Sequence, residues 1–167
     1  MKIRAAALGI VLSLQIPPAP AAERLAPGDL PPPFLGTNLA GDDVRTADFA
    51  GRILVVTFWA SWCGPCQKEL PMLEGIQRVA GKEKVQVVAI NIEDREKYRT
   101  IARRLKTLAV SINHDTGEKA SEAFGVHGIP HLVLIGRDGK VIAVHRGYSE
   151  QGIDAIISEI NQALAAN

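Results

Sequence analysis

Cysteine is scarce in this sequence. There are two, Cys63 and Cys66, and no third. The scarcity excludes a framework of structural disulfides and leaves the pair to bond with each other or with another protein's thiols. A zinc site needs two further ligands. His114, His127, His131 and His145 are scattered, without the short spacing that completes a zinc finger. An excess of charge of one sign is also missing: the formal net charge is +1. Such neutrality gives no reason to invoke nucleic acid or an anionic lipid surface as partner. Internal repeats and long low-complexity tracts are absent. What is present is ordinary globular material, 47% hydrophobic and 22% charged over 167 residues, enough for one domain with a core.

The N-terminal apolar stretch, Ala5 to Ile16, falls well short of the roughly 20 residues that cross a bilayer. Lys2 and Arg4 precede it, Pro17-Pro18 breaks it, and Ala19-Pro20-Ala21-Ala22 supplies small residues at a cleavage-site spacing. Residues 1–22 therefore read as a cleaved signal peptide, with an uncleaved membrane anchor as the alternative. Loss of Lys2 and Arg4 would leave the charge near −1. No cysteine stands directly after the leader, which argues against a lipid anchor. Export would place the protein where disulfides persist, so two cysteines kept as one close pair point to catalysis rather than structure.

Residues 23–33 are proline-rich and polar, an extended lead-in to a domain spanning 34–167. Phe34–Thr37 and Val44–Thr46 flank Gly41-Asp42-Asp43 as a short hairpin. Ile53–Ala60 and Val85–Ile92 are continuous β-branched-rich runs, the pattern of strands buried on both faces. A helix is expected from about Cys63 to Ala80, with Leu70, Leu73, Ile76 and Val79 inward and Pro71 bending it. Asp94 caps a second helix carrying Tyr98, Ile101, Ala102, Leu105 and Leu108. The basic run Arg103, Arg104 and Lys106 near its end reads as a solvated face, or else a docking patch. A short helix over 118–124 precedes a strand at 132–135, a turn at Arg137-Asp138-Gly139-Lys140 and a returning strand over 141–144. Ser149 caps a final helix with Ile153, Ile156, Ile157, Ile160 and Leu164 on one face. Crossovers followed by a hairpin define an α/β layer with a mixed sheet.

The strand–turn–helix setting brings Trp62-Cys63-Gly64-Pro65-Cys66 to a helix start, where free N–H groups and the positive dipole end stabilise a thiolate. Cys63, at the exposed end, is then the nucleophile that forms a mixed disulfide. Cys66, one turn in, resolves it. Gly64-Pro65 closes the turn and holds a helix-compatible backbone.

Phe58-Trp59-Ala60-Ser61-Trp62-Cys63-Gly64-Pro65-Cys66 resembles the active-site stretch of thioredoxins, and Gln67-Lys68-Glu69-Leu70-Pro71 resembles the TlpA/ResA-type extracytoplasmic branch. Gly125-Val126-His127-Gly128-Ile129-Pro130 is similar to that family's second signature; Ala89–Ile92 and Gly136–Val141 fit as well. The resemblance spans about Leu30 to Leu164. It implies a thioredoxin-like fold: a mixed central sheet flanked by helices on both faces, an N-terminal hairpin and one inserted helix. It also implies a cis Pro130 against the disulfide, with Ile129 offering its backbone to an extended client beside Trp62, Gly64 and Pro65. Thr57 stands where thioredoxins carry a buried aspartate. Glu69, three residues beyond Cys66 on the same helix side, takes that proton-acceptor role by resemblance; spacing alone fits a solvated glutamate equally well. His131 replaces the family's small hydroxyl residue, either near the sulfurs or as a packed histidine.

The resemblance implies an exported reductant of protein disulfides acting in cytochrome c maturation or copper-site assembly. Its partners would be disulfide or dithiol clients and a membrane electron donor of the DsbD type, with no cofactor. Two alternatives stand beside it. One is a disulfide-forming oxidase or isomerase, whose larger helical insertion this chain has little room for. The other is a copper-binding chaperone using the dithiol and His131.

Overall fold

The computed structural model describes residues 25–166, so the leader at 1–22 lies outside the described residues. Seven strands form one sheet: β1 (Phe34–Thr37), β2 (Asp43–Arg45), β3 (Ile53–Trp59), β4 (Val85–Asn91), β5 (Ser111–His114), β6 (His131–Ile135) and β7 (Val141–Arg146). Four helices accompany them: α1 (Gly64–Ala80), α2 (Arg95–Arg104), α3 (Lys119–Ala123) and α4 (Glu150–Ala165). The strand order is β2-β1-β5-β4-β3-β6-β7. β3, β4 and β5 run parallel, while β1, β2, β6 and β7 join by antiparallel pairing.

Every residue of β3 and β4 is buried, as expected of central strands covered on both sides. On one face Ile53 and Val55 pack with Leu73 of α1 and Ile156 and Ile160 of α4. On the other, Leu54, Val56 and Phe58 pack with Ala120 of α3 and Phe124 at its C-cap. The period-2 alternation of β3 thus divides residues 53–58 between the two faces, with Thr57 the polar member. A smaller cluster at the carboxyl end of β3 joins Trp59, Ala60, Leu70 and Ala89 to both cysteines, with Ile101 of α2 and Leu105 just after that helix packed against it.

The caps follow the sequence. Asp94 accepts from the Lys97 N–H at 2.9 Å, and Ser149 from Gly152 at 2.9 Å. Pro71 does not interrupt α1. The described part of the lead-in, residues 25–33, forms neither strand nor helix, yet Gly28 N–H donates to Val141 O at 2.8 Å and Val141 N–H to Asp29 O at 2.9 Å. Arg103, Arg104 and Lys106 are exposed.

Three expectations need correction. β5, with sequence Ser-Ile-Asn-His, was not expected: it carries no apolar run, and the free edge of β4 recruits it. α2 ends at Arg104, although Leu105 and Leu108 still pack. Val79 is 89% exposed. Nine residues after Leu70, at 100° each, carry it to the opposite side of α1, and Gln77 takes the inward place, donating to Ala109 O and accepting from Val87 N–H at 2.6 Å. Among the described residues no helix is long and apolar enough to cross a membrane.

Candidate active site

β3 leaves the sheet between β4 and β6, and its carboxyl end delivers the chain into the turn before α1, the place where α/β sheets open a crevice. The turn is clamped by a carboxylate. Glu93 accepts from the Ser61 N–H at 2.6 Å, the Ser61 hydroxyl at 2.9 Å and Asn91 Nδ2 at 3.1 Å. Burial pushes the Glu93 pKa upward, but the hydrogen bonds from Ser61 and Asn91 outweigh it and hold it below the usual carboxylate range. Gln67 Nε2 donates to Ser61 O from the helix side. Sequence reasoning missed Glu93. The signal available was an acidic residue just past a buried strand ending in Asn91.

Cys63 is the N-cap of α1, and its Sγ accepts from the Cys66 N–H at 3.2 Å. This is the contact that a thiolate at a helix start uses. Cys63 and Cys66 are joined as a disulfide, with Cα atoms 5.3 Å apart. In this oxidised form both are buried, Cys63 at 5% and Cys66 at 1% exposure. Trp62 beside them is 68% exposed, and Gly64 and Pro65 face outward.

Glu69 lies one turn beyond Cys66 and is 3% exposed, so it is not a solvated helix glutamate. Its Oε1 accepts from Thr57 Oγ1 at 2.7 Å. Desolvation raises the Glu69 pKa, opposed by the Thr57 hydrogen bond and by the charge of His145. Thr57 therefore does not leave its position without polar function; it anchors the carboxylate that α1 brings over it.

The Ile129–Pro130 peptide is cis. Ile129 packs against the cluster that contains both cysteines, and Pro130 is buried, its carbonyl accepting from Gly147 N–H at 2.8 Å. His131 opens β6 opposite Phe58 and meets that ring edge-on, centroids 6.0 Å apart. Pairing with Phe58 puts its side chain on the Phe124 face of the sheet, away from Thr57 and Glu69. It is 1% exposed, with Nε2 unpartnered among the described residues. Burial, then the charges of Arg146 and His127, push its pKa down to about 4. Of the two alternatives, the structure makes His131 a packed histidine, whose ring reaches the wall of a small cleft beside His127, Ile129 and Arg146. Among the described residues no three His, Cys, Asp or Glu side chains converge as a metal site.

A disulfide at the mouth of a helix, a buried carboxylate behind it and a cis-proline loop beside it define a thioredoxin-like thiol-disulfide oxidoreductase. The profile of the Redoxin family matches residues 18–164, and the chain belongs to that family. Thiol-disulfide oxidoreductase ResA of Geobacillus thermodenitrificans is 30% identical over 124 residues, covering 74% of this chain and 71% of its own. ResA of Bacillus thuringiensis is 28% identical over 125 residues, 75% of this chain and 72% of its own. Among solved structures, a Chlorobium tepidum protein provisionally assigned as the thiol:disulfide interchange protein DsbE superposes with a TM-score of 0.73. It shares 31% identity and covers 84% of this chain and 99% of its own. The pneumococcal exposed lipoprotein thioredoxin of Streptococcus pneumoniae gives 0.64 at 26% identity, over 75% and 96% of the two chains.

Proposed function

We propose that this oxidoreductase is an exported reductant of protein disulfides. Its clients are extracytoplasmic proteins of cytochrome c maturation or copper-site assembly, and a membrane thiol donor of the DsbD type renews its dithiol. The observation that carries the reading is Cys63 as N-cap, its sulfur receiving the Cys66 N–H while Cys66 sits one turn deeper. Cys63 attacks a client sulfur as thiolate, and a mixed disulfide forms. Cys66 then displaces the client, transferring two electrons in all. Glu69 takes the Cys66 proton that this second step releases.

Trp62, Gly64, Pro65, Ile129 and Pro130 supply the docking surface. The backbone N–H and C=O of Ile129 take no partner among the described residues, leaving them free to pair with an extended client segment. His131 supports that surface from below. Gly64-Pro65 between the cysteines supports the reducing direction, and the basic, apolar and small-residue order of residues 2–22 supports export.

Two measurements test this. Equilibration with glutathione should give a reduction potential near thioredoxin's, about −270 mV; a value near −120 mV, that of a dedicated oxidant, would reverse the assigned direction. A Cys66→Ala variant expressed in the envelope should accumulate clients as mixed disulfides through Cys63. Recovery of none above a Cys63→Ser, Cys66→Ala control would remove the client assignment.

A further inference from the structure

Glu69 is buried at 3% exposure, so a proton it takes from Cys66 needs a way out. Thr57 of β3 pairs with Leu132 of β6, and Leu132 with His145 of β7, so the three side chains form a row across one sheet face. That spacing puts His145 two strands, about 9–10 Å of backbone, from Thr57. Glu69 lies over the Thr57 end of the row. Between it and α4 a cleft of about 300 Å³ opens, lined by Glu69 at one end and by His145, Arg146, Tyr148, Ser149 and Ile156. At His145, Nε2 stands 2.7 Å from Oε2 of Glu159 on α4, with the two side chains 20% and 29% exposed. The dyad therefore touches both the cleft and bulk water.

We propose that His145, poised by Glu159, is the proton relay between Glu69 and solvent. It rests on the reading of Glu69 as proton acceptor for Cys66. With Nε2 donating to Glu159, Nδ1 is the basic nitrogen of the ring, and imidazole is the side chain suited to exchange protons near neutrality. A cleft of this size with polar walls is large enough for water molecules, and the relay uses them to span the gap. In the forward reaction the Cys66 thiol gives its proton to the Glu69 carboxylate, and the Cys66 thiolate displaces the client from Cys63. Glu69 passes the proton through cleft water to His145, the Glu159 carboxylate stabilises the imidazolium, and solvent takes the proton. Client reduction and Cys63–Cys66 oxidation balance without another reactant. Of the remaining groups facing this path, Arg146 opposes the imidazolium, and Tyr148 contributes a phenol to the cleft wall. Glu159 is the anion among the residues facing His145 that offsets Arg146, which is why the pair belongs together.

The test uses the reduced protein and 5,5′-dithiobis(2-nitrobenzoate). The first thionitrobenzoate released reports attack by Cys63, and the second reports resolution by Cys66. His145→Ala and Glu159→Gln should leave the first phase unchanged and slow the second about tenfold at neutral pH, at the low end of general acid–base effects. Added imidazole should restore the second phase of His145→Ala and not alter the parent. An unchanged second phase in both variants, or a slowing that imidazole does not repair, overturns the relay. Glu69→Gln separates the two readings. If it leaves the second phase unchanged, the role of Glu69 fails; if it slows that phase while the two dyad variants do not, the relay alone fails.

Discussion

The Thr57–Glu69 contact replaces one buried acid with another reached from a different element. Thioredoxin-like sheets that carry an aspartate on the central strand hold the charge on the strand itself; here the strand supplies only a hydroxyl, and α1 supplies the carboxylate. Desolvation raises the Glu69 pKa, and the Thr57 hydrogen bond is the largest influence opposing it. Removing that hydroxyl should push Glu69 further upward. Thr57→Val is isosteric, and one hydrogen bond to a charged group is worth about 1.5–3 kcal/mol. The acidic limb of the Cys66 resolution rate should therefore move up by about one pH unit or more. Alkylation of Cys63 should stay as in the parent. A limb that stays in place would show that Thr57 does not set the acid. Spacing along a helix made Glu69 equally an exposed residue and a buried one; Thr57 across the sheet decided it, and no local pattern could.

At the scale of elements, the short strands show where local signals stop. β3 and β4 were legible because burial on both faces demands continuous apolar β-branched residues. β5 has no such pattern; it pairs with the edge of β4, Asn113 Nδ2 donates to Leu35 O at 2.8 Å, and β1 closes its other edge. That closure depends on Gly36, whose φ of 85° is left-handed. A Cβ there would stand 2.5 Å from His114 O. Gly36→Ala should destabilise the fold by about 2 kcal/mol or more, through strain and collision together. Urea unfolding checks this, and a loss below about 0.5 kcal/mol would show that β1 can move aside. Glu93 belongs at this scale as well. It joins the end of β4 to the turn before α1, a junction that exists only after both strands lie side by side.

Across the whole molecule, one buried histidine links the site's supporting sheet to acid stability. The pKa of His131 is held down to about 4 by burial, then by Arg146 and His127. An unfolded chain returns it to about 6.5. Between those values the unfolded state binds the extra proton, so stability falls as pH drops through the window and is fully present above it. The loss approaches ~2–3 kcal/mol at its lower end. His131→Leu keeps the volume and removes the titration. It should match the parent within about 1 kcal/mol at pH 7 and exceed it near pH 4.5, as read from urea midpoints at the two values. Equal pH dependence in both proteins would place the acid sensitivity elsewhere.

Taken alone, the sequence determined the α/β class, the two central strands, the caps of the later helices and the redox pair, because each rests on neighbours within one turn or one strand. Tertiary structure decided which polar groups are buried and against what. It put Glu69 on Thr57, His131 on Phe58 and His145 on Glu159. Those pairings join residues far apart in the chain, and their energies come from desolvation and cross-strand register, which appear only once the sheet has formed.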